Sequence, residues 1–404
     1  MTHPPILLGI DFGGTKIATA VCDLAGNKLA AAVVDSLAER GARASFDHGV
    51  ATAMSLVAAH AAGAAIAAVG VATFGIPFED RVELAPAIDG WERFALGSEL
   101  RTAFPGAAIR MATDTKAAAY AEARWGALAG RDPAIYLNLG TGLAAAIVTG
   151  GRVLSGSQGA AGEIGYSLRQ PGDVGRADGL RIPLEDMVSG QALRRRASLL
   201  RANSPGVGAD SAGPDSAGPD SAGPDSAGPD SASPDGRLLS AAEVFAAAVS
   251  DRDLDDLISD FVDELAFHVV NLAIAVNPAR IAVGGGITRS WDRIRPRLDE
   301  ALLSGVPYPP ELVLAHFPQE APLLGAVALA VDAATADPAT ADPASGPVTS
   351  APSAPAPTEP SSNGKKQIDM SKGHYRDETH NAYQRPQGDL SAGAPQATSY
   401  PADL

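Results

Sequence analysis

The sequence predicts an α/β protein built from two related halves, and two observations support this prediction. Apolar, strand-like runs alternate with helical segments along most of the chain. An apolar run, a glycine turn and a second apolar run also occur twice, in ILLGIDFGGTKIATAVC and in AIYLNLGTGLAAAIV. Because such a unit forms a hairpin, its repetition predicts a duplicated architecture with one glycine hairpin in each half.

The individual elements follow from the same patterns. The predicted strands cover residues 6–10, 17–24, 28–34, 65–72, 107–112, 134–140, 143–154 (with a tight turn) and 280–287. The predicted helices cover residues 47–62, 115–130 (closed by Gly130), most of 240–276, and 322–331. These elements predict an N-terminal α/β lobe over 1–114 and a C-terminal α/β lobe over 115–331, with the last helix packing back on the first lobe.

Two segments are predicted to lie outside the fold. Residues 203–236 contain repeats of Asp, Ser, Ala, Gly and Pro, and residues 332–404 form a Pro-, Ala- and Ser-rich tail with a polar end. Neither composition can bury a hydrophobic core, because proline and glycine interrupt helices and strands. We therefore expect a disordered insertion and a disordered tail.

Composition excludes several classes of protein. The 404-residue chain carries a formal net charge of −16, which disfavours nucleic acids and anionic membranes as partners. Its single cysteine excludes an intramolecular disulfide. No apolar run approaches the ~20 residues of a membrane span, and the N-terminus lacks the pattern of a signal peptide. We expect a cytoplasmic protein.

The glycine turn after the first strand matches neither common phosphate loop. A Walker loop needs another spacing before its lysine, and a dinucleotide fingerprint needs a third glycine that opens a helix. Here a second strand follows, and an ordinary hairpin turn explains one such copy. The second copy, together with Gly284–Gly286 after another strand, favours nucleotide binding, with backbone N–H groups facing phosphate from two sides.

Six segments, taken in order, carry a family resemblance: GIDFGGTKI, TDTKAAAYAEARWG, LGTGLAAAIVTGGRV, GAAGEIGY, LEDMVSGQAL and NPARIAVGGGI. Together they resemble the ROK family (repressor, open reading frame, kinase), over about residues 6–331. The resemblance implies the two-lobed, actin-like ATPase (ribonuclease H-like) fold and ATP-dependent phosphorylation of a sugar hydroxyl. It also implies ATP and Mg²⁺ as cofactors, a small-molecule sugar as substrate, and a homodimer.

The resemblance assigns roles to individual residues. It implies Asp114 as the catalytic carboxylate that accepts the sugar proton. For ATP and Mg²⁺ it implies Asp11, Gly13, Gly14, Thr15, Lys16, Gly140, Thr141, Gly142, Gly284, Gly285 and Gly286. For the sugar it implies Thr113, Asp114, Glu163, Tyr166 and Glu185.

Each of these roles has a structural alternative. Asp114 precedes an alanine-rich helix and is also a good N-cap residue, worth about 1 kcal/mol. Glu163 is equally explained as a solvated acid, Glu185 as a first-turn glutamate that favours the helix dipole, and Lys16 as a solvent-facing strand residue.

The sugar side departs from the family pattern. Thr113 and Ala87 stand where asparagines are expected, and Tyr166 stands where a histidine is expected. The zinc-binding cysteines are absent, so we expect no zinc site. Because fewer polar contacts weaken discrimination between sugars, two kinds of hexose or related sugar stay open as the substrate: a glucose-like sugar or an N-acetyl amino sugar. A non-catalytic sugar- and nucleotide-binding regulator on the same scaffold is the alternative.

Overall fold

The computed structural model describes residues 3–176, 181–203 and 239–336. The predicted insertion lies outside these residues apart from Asn203, and so does the predicted tail apart from residues 332–336. Within the described residues, no helix combines the length and apolar character that crossing a membrane requires.

Strands and helices alternate along the described chain. The strands are β1 (Ile6–Phe12), β2 (Lys16–Cys22), β3 (Lys28–Asp35), β4 (Ile66–Thr73), β5 (Ile76–Pro77), β6 (Val82–Glu83), β7 (Ala108–Thr113), β8 (Ala134–Leu139), β9 (Leu143–Thr149), β10 (Arg152–Val153), β11 (Arg280–Gly284) and β12 (Glu311–Leu314). The helices are α1 (Gly41–His60), α2 (Leu96–Ala103), α3 (Asp114–Trp125), α4 (Gly190–Asn203), α5 (Ala241–Ala247), α6 (Arg252–Val276), α7 (Trp291–Gly305) and α8 (Ala321–Thr335).

Two five-stranded sheets of the described residues repeat one arrangement. The first has the order β3-β2-β1-β4-β7 and the second has the order β10-β9-β8-β11-β12. In each sheet three antiparallel strands are followed by two that run parallel to the central strand. The duplication predicted from the two glycine hairpins is therefore present in the topology.

Helices α3 and α8 pack closely against each other and against the two sheets. Helix α8 contributes Val327 and Ala330 to the core on one face of the first sheet, and α3 contributes Ala118 to the core of the second. A Cβ atom on Gly325 of α8 would lie 1.7 Å from the carbonyl oxygen of Ala117 in α3. Only glycine permits this approach, so Gly325 fixes the packing of the two helices.

The other faces of the sheets are covered by separate hydrophobic cores. In the first sheet, Phe12 packs against Phe46 of α1 and against Trp91, which also stacks on Phe94. In the second sheet, residues of α6 and α7 such as Phe261 cover β8 and β11. These cores pack against the strands whose ends carry the glycine turns.

The structure corrects several predicted boundaries. Helix α1 begins at Gly41 rather than near residue 47, after a residue that makes no side-chain cap. Helix α3 ends at Trp125, not at Gly130, and α8 extends four residues past the predicted end. Neither α7, which contains Pro296, nor the short strand β12 was predicted from the sequence.

Candidate active site

The first glycine turn joins β1 to β2. The Gly13 N–H donates to the Lys16 carbonyl oxygen at 2.9 Å, and a Cβ on Gly13 would lie 2.8 Å from that oxygen. Two carbonyl oxygens of this turn accept hydrogen bonds from Ser36. The Ser36 N–H donates to the Thr15 carbonyl oxygen (3.1 Å), and its hydroxyl donates to the Gly14 carbonyl oxygen (2.9 Å). Among the described residues, the N–H groups of Gly14 and Thr15 have no protein acceptor, so they remain available for an anion.

The second glycine turn has the same character. The Gly140 N–H donates to the Gly142 carbonyl oxygen at 3.1 Å. Two carbonyl oxygens of this turn accept hydrogen bonds from the start of α4. The Gly190 N–H donates to the Gly140 carbonyl oxygen at 2.8 Å, and the Gln191 N–H donates to the Thr141 carbonyl oxygen at 3.2 Å. The N–H groups of Thr141 and Gly142 have no acceptor in the described part of the chain. Both turns thus present free donors.

The third glycine run lies directly against the second turn. Gly285 has a φ angle of 92°, and a Cβ there would come within 2.7 Å of the Gly140 nitrogen. The preceding Gly284 packs on Tyr136, whose hydroxyl would lie 2.2 Å from an added Cβ. Positive φ and close backbone approach both require glycine here. The structure therefore brings Gly284–Gly286 and Gly140–Gly142 together.

Two half-buried carboxylates, Asp11 and Asp114, lie near the ends of β1 and β7. Burial, and to a lesser extent the neighbouring Asp114 carboxylate, raise the pKa of Asp11 to about 8. Burial also raises the pKa of Asp114, while hydrogen bonds from Thr115 and the charge of Lys116 oppose that shift. Burial makes both carboxyl groups costly to ionise, and the charge of Asp114 adds to that cost for Asp11. A cation bound beside them would therefore stabilise their charged forms.

Thr113, not Asp114, caps helix α3. The Thr113 hydroxyl accepts from the Lys116 N–H at 3.3 Å, and Asp114 is the first residue of the helix. The capping alternative for Asp114 is therefore wrong. One carboxylate oxygen of Asp114, Oδ1, accepts from the Thr115 N–H (2.6 Å) and hydroxyl (3.2 Å). Among the described residues Oδ2 has no such partner, so it can receive another hydrogen bond.

Glu163 and Glu185 join this group of acids. Burial raises the pKa of both side chains, and Asp114 adds to the shift of each. Glu185 accepts from the Leu143 N–H at 2.8 Å, and its Oε2 would be 2.4 Å from a Cβ on Gly142. Glu185 therefore belongs to a 3₁₀ turn that supports the second glycine turn, rather than to the first turn of an α-helix.

Lys116 is the residue that the sequence analysis missed. Its side chain is 5% exposed, and its Nζ lies 3.4 Å from Glu163 Oε1, whose side chain is 23% exposed. Burial lowers the pKa of Lys116, while Glu163 and Asp114 oppose that shift. Glu163 is thus a paired, mostly buried acid and not a solvated one. The available signal was a lysine two residues after Asp114, followed directly by the three alanines 117–119.

Lys16 and Tyr166 are more exposed than the acids. Lys16 begins β2 with an exposed side chain, as the structural alternative predicted. Tyr166 is 49% exposed in a 3₁₀ turn next to Glu163. Ala87 lies beside the first glycine turn, because its Cβ would be 3.3 Å from a Cβ on Gly14. The segment around Ala87 thus borders the same region.

An ion pair and two hydrogen bonds hold residues 169–173, where the segment that lacks the expected zinc motif begins. Arg169 pairs with Glu264 of α6, and Asp173 accepts the N–H groups of Arg169 and Gln170, each at 3.2 Å. In the described residues, no cluster of three or more His, Cys, Asp or Glu side chains is placed to hold a metal ion. Mg²⁺ is compatible with this donor set, since it commonly uses one or two carboxylates plus substrate phosphates and water.

Comparisons with known proteins agree on one family. The model of the ROK family matches residues 7–333. Kanosamine kinase from Amycolatopsis mediterranei is 30% identical over 338 residues, which cover 81% of this chain and 96% of that protein. The ROK hexokinase from Thermus thermophilus aligns with a TM-score of 0.62 and 27% identity, covering 80% of this chain and 97% of that one.

A second solved structure includes ligands. The ROK glucokinase from Streptomyces griseus, in complex with glucose and AMPPNP, aligns with a TM-score of 0.56 and 26% identity. The alignment covers 80% of this chain and 98% of that one. These likenesses and the repeated sheet order confirm the predicted two-lobed, actin-like ATPase fold.

Proposed function

Because the chain belongs to the ROK family, whose sugar kinases it resembles along most of its length, we propose that it is an ATP-dependent sugar kinase. It transfers the γ-phosphoryl group of ATP to a hydroxyl of a hexose or a related sugar. One observation carries the proposal: glycine turns with free N–H groups from both sheets lie in the same region as the Asp114 carboxylate.

The glycine turns form the nucleotide side of the site. The free N–H groups of the first and second turns bind phosphate oxygens, and the third turn, held against the second by Gly285, supports the nucleotide. Asp11 would hold Mg²⁺, which neutralises developing charge on the phosphates when bound. A cation at Asp11 also favours the ionised form of a carboxyl whose pKa burial raises to about 8.

Asp114 is the general base for the acceptor hydroxyl. Its Oδ1 is occupied by Thr115, so Oδ2 accepts the hydroxyl proton as the sugar oxygen attacks the γ-phosphorus and ADP leaves. The charge of Lys116 favours the ionised carboxylate that this step needs. Lys116 therefore positions and tunes the acids without touching the reacting atoms.

The sugar is held by acids and hydroxyls around Asp114. We assign this role to Glu163, Glu185, Thr113 and Tyr166. The Thr113 hydroxyl already accepts from the Lys116 N–H, and it can still donate its O–H and accept one more hydrogen bond. The half-exposed Tyr166 ring can stack on a sugar face. Carboxylates dominate this set, which favours sugars rich in hydroxyl or amino donors: glucose, N-acetyl amino sugars and kanosamine.

A direct assay tests the proposal. Purified protein is incubated with ATP, Mg²⁺ and each of glucose, kanosamine, N-acetylglucosamine and N-acetylmannosamine, and ADP release is followed. We expect turnover with at least one sugar, lost in Asp114→Ala and retained in Asp256→Ala, a change at an exposed position on α6. Nucleotide binding without turnover on any sugar would instead favour a non-catalytic regulator.

We also propose that the protein is a homodimer, as the family resemblance implies. Light scattering coupled to size-exclusion chromatography measures this directly, and a monomer mass across micromolar concentrations would refute it.

A further inference from the structure

The first glycine turn is held from outside by one buried residue. Ser36 directly follows β3, and the pairing of Lys16 with Asp35 places it opposite Thr15. Ser36 is 1% exposed. Its hydroxyl donates to the Gly14 carbonyl oxygen at 2.9 Å, and its N–H donates to the Thr15 carbonyl oxygen at 3.1 Å. One residue thus fixes two consecutive peptide groups of the turn.

The hydroxyl contact determines where a neighbouring donor points. The Gly14 carbonyl and the Thr15 N–H belong to the same planar, trans peptide group, so the two bonds point in opposite directions. Because the carbonyl oxygen is held towards Ser36, the Thr15 N–H is turned away from Ser36. In the part of the chain that the structure describes, this N–H has no protein acceptor. It is one of the donors that the first turn offers to an anion.

The same contact also strengthens the Thr15 N–H as a donor, because a peptide group is polarised when its carbonyl accepts a hydrogen bond. The second turn follows the same rule. The Gly190 N–H holds the Gly140 carbonyl oxygen at 2.8 Å, and the Thr141 N–H of that peptide group lacks an acceptor among the described residues. In the second turn a backbone N–H holds the carbonyl group. In the first turn a side chain does so, and a substitution can remove it.

Ser36 is itself fixed by its neighbours. The buried Ser45 hydroxyl of α1 donates to the Ser36 carbonyl oxygen, and the Leu37 N–H donates to Asp35 Oδ1 at 2.7 Å. Leu37 has a φ angle of 52°, a left-handed conformation that leucine rarely adopts. Such a conformation persists only where the surrounding structure over-determines it. The position of the Ser36 hydroxyl is therefore set by the fold.

We propose that Ser36 is a positioning residue for the first glycine turn, whose hydroxyl aims the Thr15 N–H at a phosphate oxygen of the nucleotide. Ser36 acts through the Gly14–Thr15 peptide group rather than through contact with the nucleotide. This role rests on the proposed nucleotide site, and it adds to that site a side chain that none of the glycine motifs contains. The alternative is a purely structural role, in which the hydroxyl only satisfies a buried carbonyl group.

Isothermal titration calorimetry with AMPPNP and Mg²⁺ on the full chain tests the role. In Ser36→Ala we expect AMPPNP to bind at least about fivefold more weakly, because a hydrogen bond to a charged phosphate loses its alignment. Ser36→Thr keeps a hydroxyl and should bind within about twofold of the wild-type protein. The matched control is Thr52→Val in α1, which removes a half-buried hydroxyl that donates to the His48 carbonyl oxygen at 2.8 Å. It should also leave the affinity within about twofold.

Steady-state kinetics separates positioning from a purely structural role. Positioning predicts that Ser36→Ala raises the KM for ATP at least about fivefold while the KM for the sugar stays within about twofold. A structural role predicts a lower melting temperature with both KM values unchanged. Thermal unfolding checks the folding of each variant. If Ser36→Ala does not fold, Ser36→Cys provides the test, because its thiol has a similar shape and is only a weak donor, and AMPPNP should bind at least about threefold more weakly.

Three outcomes overturn the assigned role. In the first, folded Ser36→Ala binds AMPPNP within about twofold of the wild-type protein. In the second, Ser36→Thr melts at the wild-type temperature yet binds as weakly as Ser36→Ala. In the third, the wild-type protein does not bind AMPPNP, which also overturns the proposed kinase. Calorimetry decides the role of Ser36 whether or not any sugar is phosphorylated, so binding without turnover refutes the kinase alone.

Discussion

Replacing Lys116 by methionine is the sharpest test of the acid cluster. Methionine keeps most of the apolar stem and removes the ammonium group, which lies 3.4 Å from the Glu163 carboxylate and is nearly inaccessible to solvent. In the variant the Glu163 and Asp114 carboxylates lose a charge that lowers the pKa of each. The expected result is a loss of stability that depends on pH.

The magnitude follows from the distance and the burial. Two unit charges 3.4 Å apart attract by about 5 kcal/mol at an effective dielectric of about 20. Roughly half of this is offset, because the variant no longer has to desolvate the lysine ammonium group. Since Glu163 remains about a quarter exposed, we expect Lys116→Met to lower the free energy of unfolding by about 2–3 kcal/mol at pH 8.

The pH dependence has a definite sign. Burial raises the pKa of Glu163 and Asp114 in the folded protein, and loss of Lys116 raises both further. A carboxyl whose pKa is raised by folding stabilises the protein below its unfolded pKa, and that contribution is lost as pH rises through the folded pKa. The destabilisation should therefore shrink to about 1 kcal/mol at pH 5, where protonation relieves the unpaired acids.

Urea unfolding at pH 5 and pH 8 measures both values by linear extrapolation. The control is Lys116→Met combined with Glu163→Gln, which should recover at least 1 kcal/mol at pH 8 because residue 163 then carries no unpaired charge. A cost that is equal at the two pH values, or a double variant no more stable than Lys116→Met, would refute the assigned pairing.

Four further predictions address the remaining features. Asp114→Asn should lower kcat by about 10²–10⁴-fold and leave the KM for ATP within about threefold, as steady-state kinetics would show; equal effects on both constants would contradict its role as a base. Gly285→Ala places a Cβ 2.5 Å from the Leu139 carbonyl and should weaken nucleotide binding at least tenfold by calorimetry, whereas Gly106→Ala, at positive φ in open space, should not. Glu122→Gln should lower the free energy of unfolding in urea by about 2–4 kcal/mol, because this buried carboxylate accepts hydrogen bonds from three backbone N–H groups. Its kcat should stay unchanged. A loss of stability below about 0.5 kcal/mol would be inconsistent with those hydrogen bonds. Dialysis against EDTA should leave the melting temperature within about 1 °C, whereas a fall of several degrees would reveal a structural metal.

Local patterns were sufficient for the elements that carry the glycine turns. Strand β1 and the turn at Gly13 follow from a continuous apolar run ended by glycines, and β8 with the turn at Gly140 follows from the same pattern. Such patterns are local because the steric limits of glycine and the burial of β-branched residues act within a few residues. Helix ends were less certain: Thr113 and Asp114 are both good caps, and only the backbone geometry at Thr113 selects one.

The sequence by itself determined the duplicated strand–glycine–strand plan and the residue types that the site offers. Only the tertiary structure decided which distant groups meet: Gly285 against Gly140, the Lys116 ammonium group against Glu163, and the Ser36 hydroxyl against the Gly14 carbonyl group. The reason is physical. Backbone conformation depends on neighbouring residues, whereas these contacts depend on which distant strands pair, as β8 and β11 do, and on how the helices pack on the sheets, which no short stretch of sequence encodes.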